Sequence, residues 1–237
     1  MRYLMEISYD GSKFYGFQRQ NNLRSIQLDI ENALSKYFGY PIIIKGAGRT
    51  DRGVHAKGQR AHFDINNNIN ISKLKKFLNS ELKNITIKNI KKVSDSVHSR
   101  FSVKKKHYSY RITFDKTKYN SEYMYFQNNL DIKKMKIASK EFIGVHNFQN
   151  FVSGLRDNNE CIIYKIRFKK KSNELVIHFY GKSFYRYMVR NMVGALIDVG
   201  KHKVCIERIT ELLNSPKTDK MLSTAPAKGL TLEKIYY

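Results

Sequence analysis

The sequence holds no tryptophan, only three prolines and two cysteines in 237 residues, and few acids: 20 Asp and Glu stand against 44 Lys and Arg. Each scarcity excludes something. Cys161 and Cys205 lie far apart, each in an apolar run. They make no disulfide scaffold and read as small buried hydrophobes in a reducing compartment. No Cys/His cluster has zinc spacing, so no metal site is expected. No stretch reaches the roughly eighteen apolar residues of a membrane-spanning helix. Met1 to Glu6 has an early acid and no apolar core, unlike a secretory leader.

What is abundant points to a polyanion. The formal charge is +24, which implies nucleic acid first and an acidic membrane surface second. The 16 Tyr and 14 Phe set rings among the cations. Rings stack on bases while Lys and Arg meet phosphates, a combination suited to RNA. Part of the ring count belongs to a core, and a codon bias toward Lys, Asn and Ile would inflate the charge. The length admits one large domain or two small ones.

The stretch from Gly46 to Gln59 organises the rest. It carries four glycines, too many for a packed helix or central strand. An apolar run, Ile42 to Ile44, precedes it and an alternating run, Gln59 to Ile65, follows, so it reads as a loop between two strands. Its centre is charged: Arg49, Asp51 and Arg52, with His55 just after. A carboxylate among guanidiniums is held ionised, as a nucleophile requires. On spacing alone, an Asx turn at Asp51 is the commoner use of such a residue. The Walker and dinucleotide glycine fingerprints are absent.

Periodicity outlines an α/β chain of strand, helix, strand, strand in each half. Strands are expected over Arg2 to Asp10, Ile85 to Val93 and from Tyr108 to Phe114, and a hairpin over Cys161 to Tyr180. Helices are expected from a Ser25 cap to Phe38, over Ser72 to Leu82, Asp131 to Phe142, Ser183 to Val199 and Ile206 to Leu213. On the fourth of these, Arg186 and Arg190 share a face. Lys104 to His107 is a basic run ahead of a strand, and Ser153 to Glu160 reads as a polar loop.

Several of these stretches together resemble one family. Gly48-Arg49-Thr50-Asp51-x-Gly53-Val54-His55-Ala56 is similar to the signature of the tRNA pseudouridine synthase A family, in which the aspartate is the nucleophile. Arg52 stands where many members carry alanine. Tyr9 to Gln20 resembles the family's first motif, with Phe17 where tryptophan is usual; this implies a loop that contacts RNA. His98 to Phe101, Gly144 to Phe148, Phe184 to Gly194 and Ala225 to Leu230 match further blocks in order. The resemblance gives Arg190 the part of the aspartate's ion-pair partner. It puts Tyr108 against the target uracil and Leu230 in the wall of the uracil pocket. Leu230 is equally at home as a core residue, Tyr108 as the end of a buried stripe, and His146 reads as structural.

The resemblance implies isomerisation of uridine to pseudouridine at positions 38, 39 and 40 of the tRNA anticodon stem and loop, with neither cofactor nor metal. It further implies a cytoplasmic homodimer that binds tRNA and no membrane. In fold it implies two ferredoxin- or RRM-like halves, 1–103 and 104–237, with antiparallel sheets joined across a central RNA cleft as one continuous catalytic unit. Asp51 would attack sugar C1′ or uracil C6, and Arg49 would fill the stack vacated by an extruded base. Tyr108 would need help from the site to accept the C5 proton, since an ordinary phenol is too weak a base. Two other readings stand beside this one. A non-catalytic RNA-binding protein accounts for the charge and rings but not for Asp51. A metal-dependent nuclease using Asp51 and His55 has too few ligands.

Overall fold

The computed structural model describes residues 1–154, 158–215 and 222–237. The loop expected over Ser153 to Glu160 and the helix break expected before Pro216 lie in part outside them. The chain divides into two compact units, Met1–Lys104 with Thr231–Tyr237, and Lys105–Leu230.

The first unit begins with β1 (Arg2–Tyr9), α1 (Ile26–Phe38), β2 (Lys45–Gly46), β3 (His55–Asp64), α2 (Ile71–Glu81) and β4 (Ile85–Val93). Strand β1 lies between β3 and β4, antiparallel to both. Alternation decides the faces. Tyr3, Met5 and Ile7 stand opposite Phe63, Ala61 and Gln59 on the core side. Arg2 and Glu6 stand on the other side and pair with Asp64 and Arg60 at 2.8 and 2.7 Å. Helix α1 starts where the Ser25 hydroxyl accepts from the Leu28 amide, and it stops at Gly39 in the left-handed region. It buries Ile26, Ile30, Ala33 and Leu34, and α2 buries Leu74 and Leu78.

The second unit runs β5 (Lys105–Thr113), β6 (Tyr125–Phe126), α3 (Ile132–Ala138), β7 (Gly144–Asn147), β8 (Glu160–Lys171), β9 (Glu174–Gly181), α4 (Met188–Gly200) and α5 (Glu207–Asn214). Its strands pair antiparallel in the order β5, β9, β8, β7. One face is closed: Tyr108, Tyr110 and Ile112 of β5 and Leu175, Ile177 and Phe179 of β9 are all buried. The last strand, β10 (Leu230–Tyr236), runs parallel to β3 through Thr231↔His55 and Leu232↔Ala56.

Five expectations are corrected. Ile42 to Ile44 is not a ladder strand, although Ile42 and Ile44 are buried and Ile43 is exposed. The amides of Ile42 and Ile44 are taken by the Ser35 hydroxyl and the Glu31 carboxylate of α1. Strand β3 begins at His55 rather than Gln59, because β10 gives His55 and Ala56 a partner. The basic run is not ahead of its strand: Lys105, Lys106 and His107 belong to β5, and Lys106 is buried. Helix α4 begins at Met188, five residues late, after Tyr187 at φ 65° breaks the turn. Arg186 therefore lies outside the helix and shares no helical face with Arg190. Finally, Cys205 is exposed; only Cys161 is buried, its thiol donating to the Ser183 carbonyl at 2.8 Å. Among the described residues no helix is long and apolar enough to cross a membrane.

Candidate active site

Asp51 sits half-buried at the bend between β2 and β3. The bend is tight: the Val54 amide donates to the Asp51 carbonyl at 3.1 Å, and Gly53 takes φ +80°. The residue before it is clamped. Thr50 is buried, its hydroxyl 2.8 Å from the Tyr9 hydroxyl, and its carbonyl accepts from the Phe17 amide at 3.1 Å. Gln59 completes the clamp, its side-chain amide donating to the Gly48 carbonyl at 3.0 Å and to the Tyr9 oxygen at 3.4 Å. Burial pushes the Tyr9 phenol up to about 12, against the pull of its bonds to Thr50 and Gln59, so it stays neutral.

The segment after β1 lies directly against this bend, and glycine makes that approach possible. A Cβ on Gly11 would fall 2.0 Å from the Val54 carbonyl oxygen, and one on Gly16 2.9 Å from that of Thr50. Phe14 and Phe17 of the same segment are buried, so much of it is core. Arg49 and Arg52 are exposed on the bend. The Arg52 guanidinium lies 4.3 Å from the Tyr15 ring centroid. The imidazole of His55 is buried, accepting from the Gly11 amide at 3.1 Å and lying 3.2 Å from an Asp10 oxygen.

In the second unit, Tyr108 is buried on β5 with its ring edge-on to Phe184 at 5.1 Å. Arg190 is half-buried in the first turn of α4. Its Nε donates to the Ala225 carbonyl at 2.8 Å, and its guanidinium stacks 4.4 Å from the Tyr187 ring. The Ala225 amide returns a bond to the Arg190 carbonyl at 3.1 Å. The segment carrying Ala225 is fastened to α4 in turn. Ser223 donates through its amide and hydroxyl to the Asp198 carboxylate, both at 2.9 Å, and Thr224 donates to Asn191 at 2.7 Å. A Cβ on Gly194 would lie 1.5 Å from the Ser223 carbonyl oxygen, so only glycine admits this contact. Leu230 is buried at the start of β10. His146 is structural as expected, its Nε2 3.0 Å from the Ile143 carbonyl.

The first unit thus puts Arg49 and Asp51 on one bend, and the second holds Tyr108, Arg190 and Leu230. Sequence reasoning missed the groups that fix them: Tyr9, Thr50 and Gln59 around Asp51, and Tyr187, Ala225 and Asp198 around Arg190. A polar residue inside an apolar stretch was the available signal at Asp198, whereas Gln59 lies among Lys57, Gly58 and Arg60 and gave none. Among the described residues no group of three or more His, Cys, Asp and Glu is placed to hold a metal ion.

These features define an α/β protein with a half-buried carboxylate on a hydrogen-bonded bend. The model of a family described as tRNA pseudouridine synthase matches residues 5–102 and 138–237. The tRNA pseudouridine synthase A of Listeria monocytogenes serotype 4b is 40% identical over 246 residues, covering 100% of this chain and 99% of that one. That of Borrelia hermsii is 39% identical over 241 residues, with 99% and 98% covered, and that of Malacoplasma penetrans 36% over 242 residues with both chains fully covered. The chain belongs to the tRNA pseudouridine synthase family, and with that come the pseudouridine synthase fold and an isomerase that acts on tRNA. The reading as a non-catalytic RNA-binding protein is set aside.

Proposed function

We propose that this isomerase converts uridines of the tRNA anticodon stem and loop to pseudouridine with Asp51 as nucleophile. The observation that carries the assignment is the clamp on Thr50, which fixes the backbone beside a half-buried carboxylate. A nucleophile must be aimed before the substrate arrives, and such pre-organisation is what a bend held by Tyr9 and Gln59 supplies.

The reaction balances within the nucleoside. The bond from C1′ to N1 breaks, the uracil turns, and a bond from C1′ to C5 forms. The proton on C5 leaves and N1 gains one. Asp51 opens this sequence by attack at C1′ or at C6, and each route needs the ionised carboxylate. Arg190 serves as the cation for that carboxylate, oriented by the Ala225 carbonyl and the Tyr187 ring. Tyr108 and Leu230 hold the uracil. Arg49 fills the gap left by the everted base, whose extrusion costs a few kcal/mol. No cofactor and no metal takes part in these steps. The reading includes a cytoplasmic homodimer, with the halves 1–103 and 104–237 of each chain acting as one catalytic unit, and tRNA as its partner.

The test is one incubation of unmodified tRNA transcripts with wild type and Asp51→Ala, followed by mapping of pseudouridine. Wild type should modify the anticodon arm. Asp51→Ala should make none, yet bind tRNA within a few-fold of wild type. Activity retained by the variant would end the assignment.

A further inference from the structure

Among the described residues, strand β8 carries a row of cations that enter no ion pair. Lys165, Arg167, Lys169 and Lys171 alternate along it, and all four are exposed. Alternate residues of a strand point to one face, about 7 Å apart, close to the spacing of successive phosphates in a nucleic-acid strand. Register gives their neighbours on that face. Tyr180, His178, Val176 and Glu174 of β9 stand opposite the four in that order, and His107, Ser109, Arg111 and Thr113 of β5 stand beyond. Glu174 is the one acid among these twelve positions, and it is engaged by Arg111 at 3.1 Å and Lys118 at 3.5 Å. Among the described residues none of the four cations enters an ion pair. Next to them, His107 stacks on Tyr180 at 4.2 Å with the planes 12° apart.

We propose that the β8 side of this face, which is open where Ser109 and Thr113 of β5 are buried, is a docking surface for the tRNA backbone, with β8 following one run of phosphates and the Tyr180 ring meeting the sugar–base side. This rests on the reading of tRNA as the substrate and adds where part of its affinity arises. Four like charges on one strand repel each other, and a polyanion relieves that repulsion while releasing its own counterions. Lysines on a strand also discourage sheet-to-sheet pairing, so the experiment separates the two uses.

The fluorescence anisotropy of a labelled tRNA transcript is titrated with wild type and with Lys165→Gln/Arg167→Gln/Lys169→Gln/Lys171→Gln, at salt from about 50 to 300 mM. Four lost phosphate contacts should flatten the slope of log K against log salt by about 3. Affinity should fall at least about tenfold near 150 mM, with kcat at saturating tRNA unchanged within about twofold. Tyr180→Leu should lower affinity about fivefold and leave the slope alone, because a ring contact releases no ions. Unchanged slope and affinity in the quadruple variant overturn the proposal, as does a variant that only self-associates. Failure of wild type itself to bind tRNA would instead strike the substrate reading.

Discussion

Asp51 and Arg190 are held by different means. The first unit holds the backbone beside its carboxylate through side chains: Tyr9, Thr50 and Gln59 share hydrogen bonds at the bend. The second unit fixes its guanidinium through backbone: the Ala225 carbonyl takes Nε, and Ala225 is placed by a segment fastened to α4. A side-chain clamp fails when one polar atom is removed. A backbone clamp fails when the two chains are forced apart. The units should therefore answer oppositely to loss of hydrogen bonds and to added volume.

The largest effect is expected from volume. In Gly194→Ala the new methyl meets the Ser223 carbonyl oxygen at 1.5 Å, so the helix or the segment tied to it through Asp198 must move. Overpacking costs of about 1–3 kcal/mol are usual, and this contact belongs at the upper end or beyond. The variant should melt well below wild type and lose activity even where it remains folded. Gly11→Ala meets the Val54 carbonyl oxygen at 2.0 Å, also a backbone atom but at a longer distance. A smaller loss there, read by thermal melts of both, supports the comparison; equal losses break it.

Hydrogen-bond deletion comes next. Tyr9→Phe removes the buried oxygen shared by Thr50 and Gln59, leaving a buried group unsatisfied at about 1–3 kcal/mol. It should cut kcat about tenfold while tRNA affinity stays put. Asp198→Asn keeps one acceptor for the two donors of Ser223, so it should cost less of both stability and kcat. If Tyr9→Phe left kcat intact while Asp198→Asn abolished it, the assignment of the two kinds of clamp would be reversed.

The same division explains what could be read from sequence. Elements with a local cause were legible: α1 from its Ser25 cap to Gly39, the β8–β9 hairpin, the alternation of β1. Asp51 stood out as a charge in a glycine-rich loop, whereas Arg190 was singled out by the resemblance of Phe184 to Gly194 to a family block. Two of the three misplaced boundaries had causes outside their own segment, and the third a single backbone angle. Ile42 and Ile44 lost their ladder to side chains of α1, β3 was lengthened by a strand about 175 residues later, and α4 was cut short by one left-handed tyrosine. The clamp residues escaped for the same reason: Tyr9 and Gln59 meet Thr50 only after β1 and β3 have paired. A periodic pattern carries the faces of an element but not the partner that ends or extends it.

The smallest effect tests whether the two units also differ in their response to acid. His62 of β3 is buried opposite Leu4, with Nδ1 2.8 Å from the Ser99 hydroxyl and Nε2 buried without a hydrogen-bond partner. The Ser99 amide donates to Nδ1 at 3.1 Å, so the neutral ring carries its proton on Nε2, and charging His62 would set a second proton on Nδ1 against that amide. Burial, then the nearby Arg2 and His98, push the group down to about 4. A histidine whose pKa is lower folded than unfolded contributes full stability above about 6.5 and loses it as the pH falls toward 4. The loss should be on the order of 1 kcal/mol by pH 5, once partial screening by solvent is allowed for. It should appear in the first unit: amide exchange of β1 and β3 should quicken between pH 6.5 and 5, relative to the intrinsic rate, while β8 and β9 hold. His62→Gln, which cannot charge, should remove the difference. Equal acid sensitivity in both sheets of that variant and of wild type would show that His62 is not the group responsible.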